Sequence, residues 1–412
     1  MKSAFCILFL VSLAAAQKPT LYSPDPEHIW NRVHRVLHTR TIEDGTMYGA
    51  DELDPLLWRV TTYLLTGGSH RQARSVLDEF LSRHAERMIT DPVRRAVFQH
   101  DLWAVFDWLD SPAPIRRDAA ARAALHDRLV QTIRRVAMDR SEIERLPDNL
   151  AEATARRTVP NLPPDLFQVD GPWLCLCLRG VGPTAAKHTS EFSGRSVFLP
   201  FLRLPGGREE TLAYLKTLQE YGEPWIVERD LPHAAPRILA SPALPQFPSG
   251  TKVALVRRMM LIDQSGDIAP TRLTESVQIR DYQVLAAERS ENSELRLSRA
   301  KLFMGEAGGL RPVGAEQKEF PVFSSHGIDP FEMLSRQAAQ LERHQSTILG
   351  SCASCHRGSG IHSVLSYTQE FGTLTARTPE LIACGIEEQA RSTVSWKRGR
   401  HDLGLLQGLW PH

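Results

Sequence analysis

Apolar side chains recur three and four residues apart through the first third of the chain. Ile29, Trp30, Val33, Val36 and Leu37 form one such stripe; Val76, Leu77, Phe80 and Leu81 form a second; Val97, Leu102, Val105, Phe106 and Leu109 form a third. That spacing is the period of a helix with one buried side. Asp91-Pro92 reads as an N-cap followed by proline at the first helical position, where the missing N–H is no loss. Ala119 to Met138 is rich in Ala and Arg and reads as an amphipathic helix with a solvated basic side. Residues 25–147 therefore predict a helical region of about five helices packed through Trp58, Trp103 and Trp108. Pro160, Pro163 and Pro164 end it.

Beyond these prolines the period falls to two. Leu174, Leu176 and Leu178 alternate with Trp173, Cys175 and Cys177, as in a strand. Val197–Leu204, Trp225–Glu228, Lys252–Asp263 and Glu275–Tyr282 also read as strands, with Gln264-Ser265-Gly266-Asp267 as a turn and Arg208–Tyr221 as one intervening helix. Asp329-Pro330 caps a further helix from Phe331 to about Leu349, which Gly350 ends. The expected fold class is α+β: an N-terminal helical domain over 17–155, a central β-rich sandwich or barrel over 165–325, and a short C-terminal helical segment over 326–412.

The first residues bear on compartment. Lys2 is followed by an apolar run, Phe5–Leu13, and then Ala14-Ala15-Ala16, the order of a secretory signal peptide over 1–16 with the mature chain starting at Gln17. The expected location is periplasmic or secreted, with no integral membrane segment after cleavage, since the apolar run is too short to span a bilayer. The mature chain carries 48 basic and 48 acidic side chains once Lys2 is removed. Such a balance argues against nucleic acid as a partner, because phosphate binding needs a basic surplus or patch.

Candidate chemistry is concentrated at Cys352-Ala353-Ser354-Cys355-His356. Two thiols separated by two residues can add to the two vinyl groups on one side of a porphyrin, and the adjacent imidazole then lies under the iron. Over these five residues the chain resembles the c-type cytochromes. The resemblance implies one covalent haem c, bonded to Cys352 and Cys355 with His356 as proximal iron ligand, and electron transfer with a redox partner protein as the activity. It would make 326–412 the haem-binding segment. The chain departs from a small cytochrome c, in which the motif sits early in its domain with a ligand Met well downstream: here 56 residues follow His356, and none is Met. His362, Met333 and His326 are the distal-ligand candidates, with Met304 and His401 behind them, and an open sixth position is the alternative that would favour a haem enzyme or sensor. Ile361, Val364, Leu365, Tyr367, Phe371, Leu374, Leu381, Ile382 and Trp396 offer either a dry wall for a haem or ordinary core.

Two further readings of the motif stay open. Cys352 and Cys355 could pair as a disulfide in a secreted interaction protein, or join Cys384 and a histidine at zinc, although the second paired motif usual for structural zinc is absent. Cys175 and Cys177 point to one side of their strand and are poorly placed to bridge each other. Buried structural thiols are the expected role of that pair, and with the motif committed to haem, Cys175, Cys177 and Cys384 leave at least one thiol over. H-E-x-x-H, the phosphate-cradling G-x-x-x-x-G-K-[ST], G-x-S-x-G and the all-glycine dinucleotide fingerprint G-x-G-x-x-G do not occur.

Overall fold

The computed structural model describes residues 21–41, 47–51, 53, 63–110, 119–157, 159–179, 182–221, 225–228, 237–283, 291–314, 360–364 and 381–410. The first elements are helices α1 (Ile29–His38), α2 (Gly67–Ser82), α3 (Pro92–Asp110), α4 (Ala119–Val136), α5 (Arg140–Glu144) and α6 (Asn149–Arg156), with a small hairpin, β1 (Arg40–Thr41) and β2 (Met47–Tyr48), after α1. The caps explain several boundaries. Asp91 Oδ1 accepts the Arg94 N–H at 2.7 Å just before α3. Asp139 and Glu142 form a capping box on α5, and Asp148 caps α6. Trp30 and Trp103 are fully buried among these helices, while Trp58 lies outside the described residues.

The remaining elements are β3 (Leu174–Leu178), α7 (Ala186–Glu191), β4 (Ser196–Arg203), α8 (Arg208–Tyr221), β5 (Trp225–Glu228), β6 (Arg237–Ala240), β7 (Thr251–Ile262), β8 (Ile268–Tyr282), β9 (Glu291–Leu297), α9 (Arg299–Phe303), β10 (Leu310–Pro312), α10 (Ile361–Val364), β11 (Leu381–Ala383), α11 (Ile386–Arg398) and α12 (His401–Gly408). Seven strands form one antiparallel sheet in the order β10-β9-β8-β7-β4-β3-β11, and β5 and β6 form a separate ribbon. The β7–β8 hairpin turns where expected: Asp263 Oδ1 accepts the N–H groups of Ser265 and Asp267 at 3.0 and 3.1 Å. Gly266 adopts φ +82°, and the Trp410 ring covers it so closely that a Cβ there would come within 3.2 Å.

The expected sandwich or barrel is therefore corrected. Among the described residues the seven strands form one open sheet, and its two sides are covered mainly by helices. One core joins helical residues such as Trp30, Phe98, Trp103 and Ile133 to Cys175, Leu199, Phe201, Val256 and Met260 of the sheet. A second core on the other side holds Leu174, Leu176, Leu178, Leu202, Tyr214, Leu215, Phe247, Tyr282 and Ile361. The alternation in β3 thus separates one core from another and not core from solvent; all five residues of the strand are buried. The C-terminal stretch is woven into the same sheet, since Ile382 of β11 pairs with Cys177 of β3. The helix expected over 331–349 lies outside the described residues.

The helical layer is fastened to the sheet by polar side chains that substitute for missing backbone partners. Gln99 of α3 accepts the Ile262 N–H at 3.0 Å and donates to the Ile262 carbonyl at 2.8 Å, finishing the end of β7. Asn149 does the same at Thr274, at 2.7 and 3.1 Å. Charged groups are buried here too. Asp101 of α3 receives two bonds from the fully buried Arg299, at 2.5 and 2.7 Å, and one from the Tyr22 hydroxyl at 3.2 Å. Glu275 of β8 meets Arg257 at 2.9 Å, His100 at 3.0 Å and the Ser196 hydroxyl at 2.6 Å. Burial works against both carboxylates, but Arg299 at Asp101 and Arg257 at Glu275 hold them well below the usual range.

A pH dependence follows from His38, whose Nε2–H donates to the Asp101 carbonyl at 2.9 Å. Burial lowers its pKa to about 4, so the folded protein keeps the ring neutral where the unfolded chain, at 6.5, takes up a proton. This contribution is complete above the unfolded pKa and is lost as the pH falls toward the folded one. Urea denaturation should show stability declining by up to about 3 kcal/mol from this group between pH 6.5 and 4. His38→Gln should flatten that decline; an unchanged slope in the variant refutes the assignment.

Candidate functional site

The proximal motif residues Cys352, Cys355 and His356 lie outside the described residues, as do the distal candidates Met333 and His326. At Gly360, four residues after His356, the backbone turns at φ +52° into α10. This short helix is tied to the outer side of the sheet at every residue. The Ile361 N–H donates to Gln246 Oε1 at 2.9 Å, and its side chain enters the second core. The Tyr282 hydroxyl and Ser363 Oγ are 2.6 Å apart, and Ser363 Oγ also donates to the Gly360 carbonyl at 2.8 Å. Val364 packs half-buried against the same core. Four consecutive residues thus dock on one surface built from β8 and the loop before β7.

His362 is buried, with Nε2 3.3 Å from the Ser241 carbonyl. A carbonyl only accepts, so Nε2 carries the proton in this arrangement. Burial lowers the ring's pKa, which keeps it neutral. Iron ligation through Nε2 would require His362 to give up Ser241. Ser241 is itself held from the side: its hydroxyl is 3.0 Å from the Tyr221 hydroxyl at the end of α8. Met304 is largely exposed after α9, toward the β9–β10 edge of the sheet. His401 is exposed at the start of α12 and faces Asp110 at 3.0 Å, a partner that raises its pKa.

The apolar wall divides. Ile361, Val364 and Leu381 belong to the second core. Trp396 lies on α11 against Gly194, where a Cβ would approach its ring to 2.7 Å. Leu365, Tyr367, Phe371 and Leu374 fall outside the described residues.

The cysteines on β3 part company. Cys177 is joined to Cys384, with Cα atoms 5.7 Å apart, while Cys175 is a buried free thiol whose pKa burial pushes up to about 12. The expected pair of structural thiols is corrected to one thiol and one disulfide. The expectation that Cys175 and Cys177 do not bridge each other, and that one thiol is left over, holds. The sequence reading also missed Tyr282, Ser241 and Gln246, the residues that fix α10. Their one sequence signal is that they lie in or beside strands, and that signal does not say what they will face.

No family model, no curated protein and no solved structure matches this chain.

Non-reducing peptide mapping should recover Cys177 linked to Cys384, with Cys175 alkylated only after unfolding. The bridge spans 207 residues of sequence, so Cys384→Ser should lower stability by about 2–5 kcal/mol in denaturant. Recovery of Cys384 linked to a different cysteine refutes the pairing.

Proposed function

We propose that the protein is an exported monohaem c-type cytochrome-like protein that transfers electrons with a redox partner. The observation that carries this reading is Cys352-Ala353-Ser354-Cys355-His356, two thiols and an imidazole in the order covalent haem attachment requires. The rest of the cysteine chemistry leaves that pair available. Cys177 and Cys384 are committed to each other, and Cys175 is buried. A disulfide across the sheet also suits the oxidising compartment to which the leader would direct the chain.

When bound, the haem supplies a one-electron iron centre. The chain's own residues give the motif a fixed neighbour. Four peptide units allow His356 and Gly360 a separation of at most about 14 Å, and Gly360 begins the α10 anchor. Ile361, the Tyr282–Ser363 hydrogen bond and the His362–Ser241 contact hold that anchor to the second core. Cys352 and Cys355 are the attachment residues and His356 the proximal ligand; His362, Met333 and His326 remain the distal candidates.

Because thioether bonds survive denaturation, protein matured in a host competent for haem attachment should retain peroxidase staining on a denaturing gel, and its intact mass should exceed the polypeptide by one haem. Cys352→Ala with Cys355→Ala should abolish the stain. His356→Ala should disturb the spectrum by removing the iron's ligand. A reduced spectrum indifferent to carbon monoxide supports electron transfer; ready carbon monoxide binding indicates an open iron and turns the reading to a haem enzyme or sensor. Folded wild-type protein from a competent host without haem refutes the proposal.

A further inference from the structure

We propose that Cys177, Cys384 and Glu388 form a metal site for a thiophilic divalent ion such as zinc once the Cys177–Cys384 disulfide is reduced. This inference does not rest on haem attachment. Its first support is geometric: one ligand atom from each of the three residues lies within 4.8 Å of the other two. They come from two pieces, strand β3 and the stretch that runs from the end of β11 through Gly385 into the first turn of α11.

The backbone need not move between the two states. Ile382 is paired with Cys177, and the ladder continues to a bond from the Cys384 N–H to the Cys175 carbonyl at 2.9 Å. These contacts keep the Cα atoms of Cys177 and Cys384 5.7 Å apart with or without the S–S bond. Zinc–sulfur bonds of about 2.3 Å in tetrahedral geometry place two sulfurs roughly 3.7 Å apart. Side-chain rotation alone supplies that separation.

The surroundings suit the thiol form as well as the disulfide. Gln389 is fully buried. Its Nε2 donates to the Phe198 carbonyl at 3.2 Å, and its Oε1 accepts the Thr184 hydroxyl at 3.0 Å. That same Oε1 lies 3.5 Å from Cys177 Sγ, a position from which it can accept an S–H hydrogen. Cys384 is half-buried beside the N-terminus of α11, a helix of 13 residues whose first-turn N–H groups favour a thiolate. Glu388 is exposed, so reductant and metal have an approach from solvent.

The steps balance. An external dithiol passes two hydrogens to the Cys177–Cys384 disulfide and is itself oxidised to a disulfide. Metal binding then releases the two thiol protons, with the Glu388 carboxylate as third ligand and water completing the set. Cys175 stands opposite Cys384 in the ladder but is not a ligand, because its thiol is not among the three ligand atoms that converge.

The test uses the full mature chain carrying Cys352→Ser and Cys355→Ser, so that the motif thiols contribute nothing. The protein is reduced with a phosphine, freed of it without air, and titrated with Co2+ alone and then Zn2+. One Co2+ per chain should bind with a sulfur-to-cobalt charge-transfer band, be displaced by Zn2+, and protect two thiols from a disulfide reagent. Cys384→Ser should abolish the band. Glu388→Gln should weaken binding roughly tenfold or more, since even an outer-shell change costs that much. Cys175→Ser should leave binding unchanged. A folded, reduced chain that shows no band overturns the site, as does full affinity in Glu388→Gln or loss of binding in Cys175→Ser. Should the double-serine chain not fold, the wild-type chain gives the same reading: Cys384→Ser must reduce the bound metal by one ion per chain. Absence of haem would change none of these results.

Discussion

Lys397 has no solvent-exposed surface, and its ammonium is kept in the interior by Asp107 at 2.8 Å, Asp402 at 3.1 Å and the Trp103 ring 5.3 Å away. Asp107 also meets Arg195 at 2.8 Å. Helix α3, the entrance to β4 and α11 therefore converge on the Asp107 carboxylate, and α12 joins them through Asp402 and Lys397. Burial pushes the Asp107 carboxyl above its usual range, and the two cations offset only part of that rise. An unpaired charge at such a depth is strongly destabilising, so each segment requires the others to be in place. The clusters at Asp101 and Glu275 repeat the device between α3 and the rest of the chain. Arg299 ties α9 to Asp101, and His100 reaches Glu275 on β8. Helix α3 carries Gln99, His100, Asp101 and Asp107 and is the element through which helices and sheet are locked together.

That arrangement leaves the two sides of the sheet with different tasks. The side facing α1–α6 is large, apolar and pinned by buried ions. The other is smaller, built on Tyr214, Phe247 and Tyr282, and it receives α10. The residues just beyond the C-x-x-C-H motif thus rest on the less encumbered side, through Tyr282, Ser241 and Gln246. The disulfide and its candidate metal site lie at the sheet's β3–β11 edge, where the terminal strand is three residues long and gains a covalent fastening. A short edge strand of this kind is otherwise held by few ladder bonds.

The features legible from the amino-acid order were those whose cause is local. Helical stripes at Ile29–Leu37, Val76–Leu81 and Val97–Leu109, the cap at Asp91, the turn at 264–267, helix Arg208–Tyr221 and strand Trp225–Glu228 all rest on neighbours within a few residues. The C-x-x-C-H motif is equally local, but it lies outside the described residues. The tertiary structure alone decided which surface each element covers. The Leu and Cys positions of β3 alternate as the strand period requires, yet only the helices packed on one side and α8 and α10 on the other make both buried. Cys384 became the partner of Cys177 because β11 pairs with β3, a register set across more than 200 residues of chain. Nothing local marks Lys397, Arg299 and Arg195 as buried, since a charge is ordinarily left in water. Their burial depends on carboxylates contributed by distant segments, and no local pattern encodes that meeting.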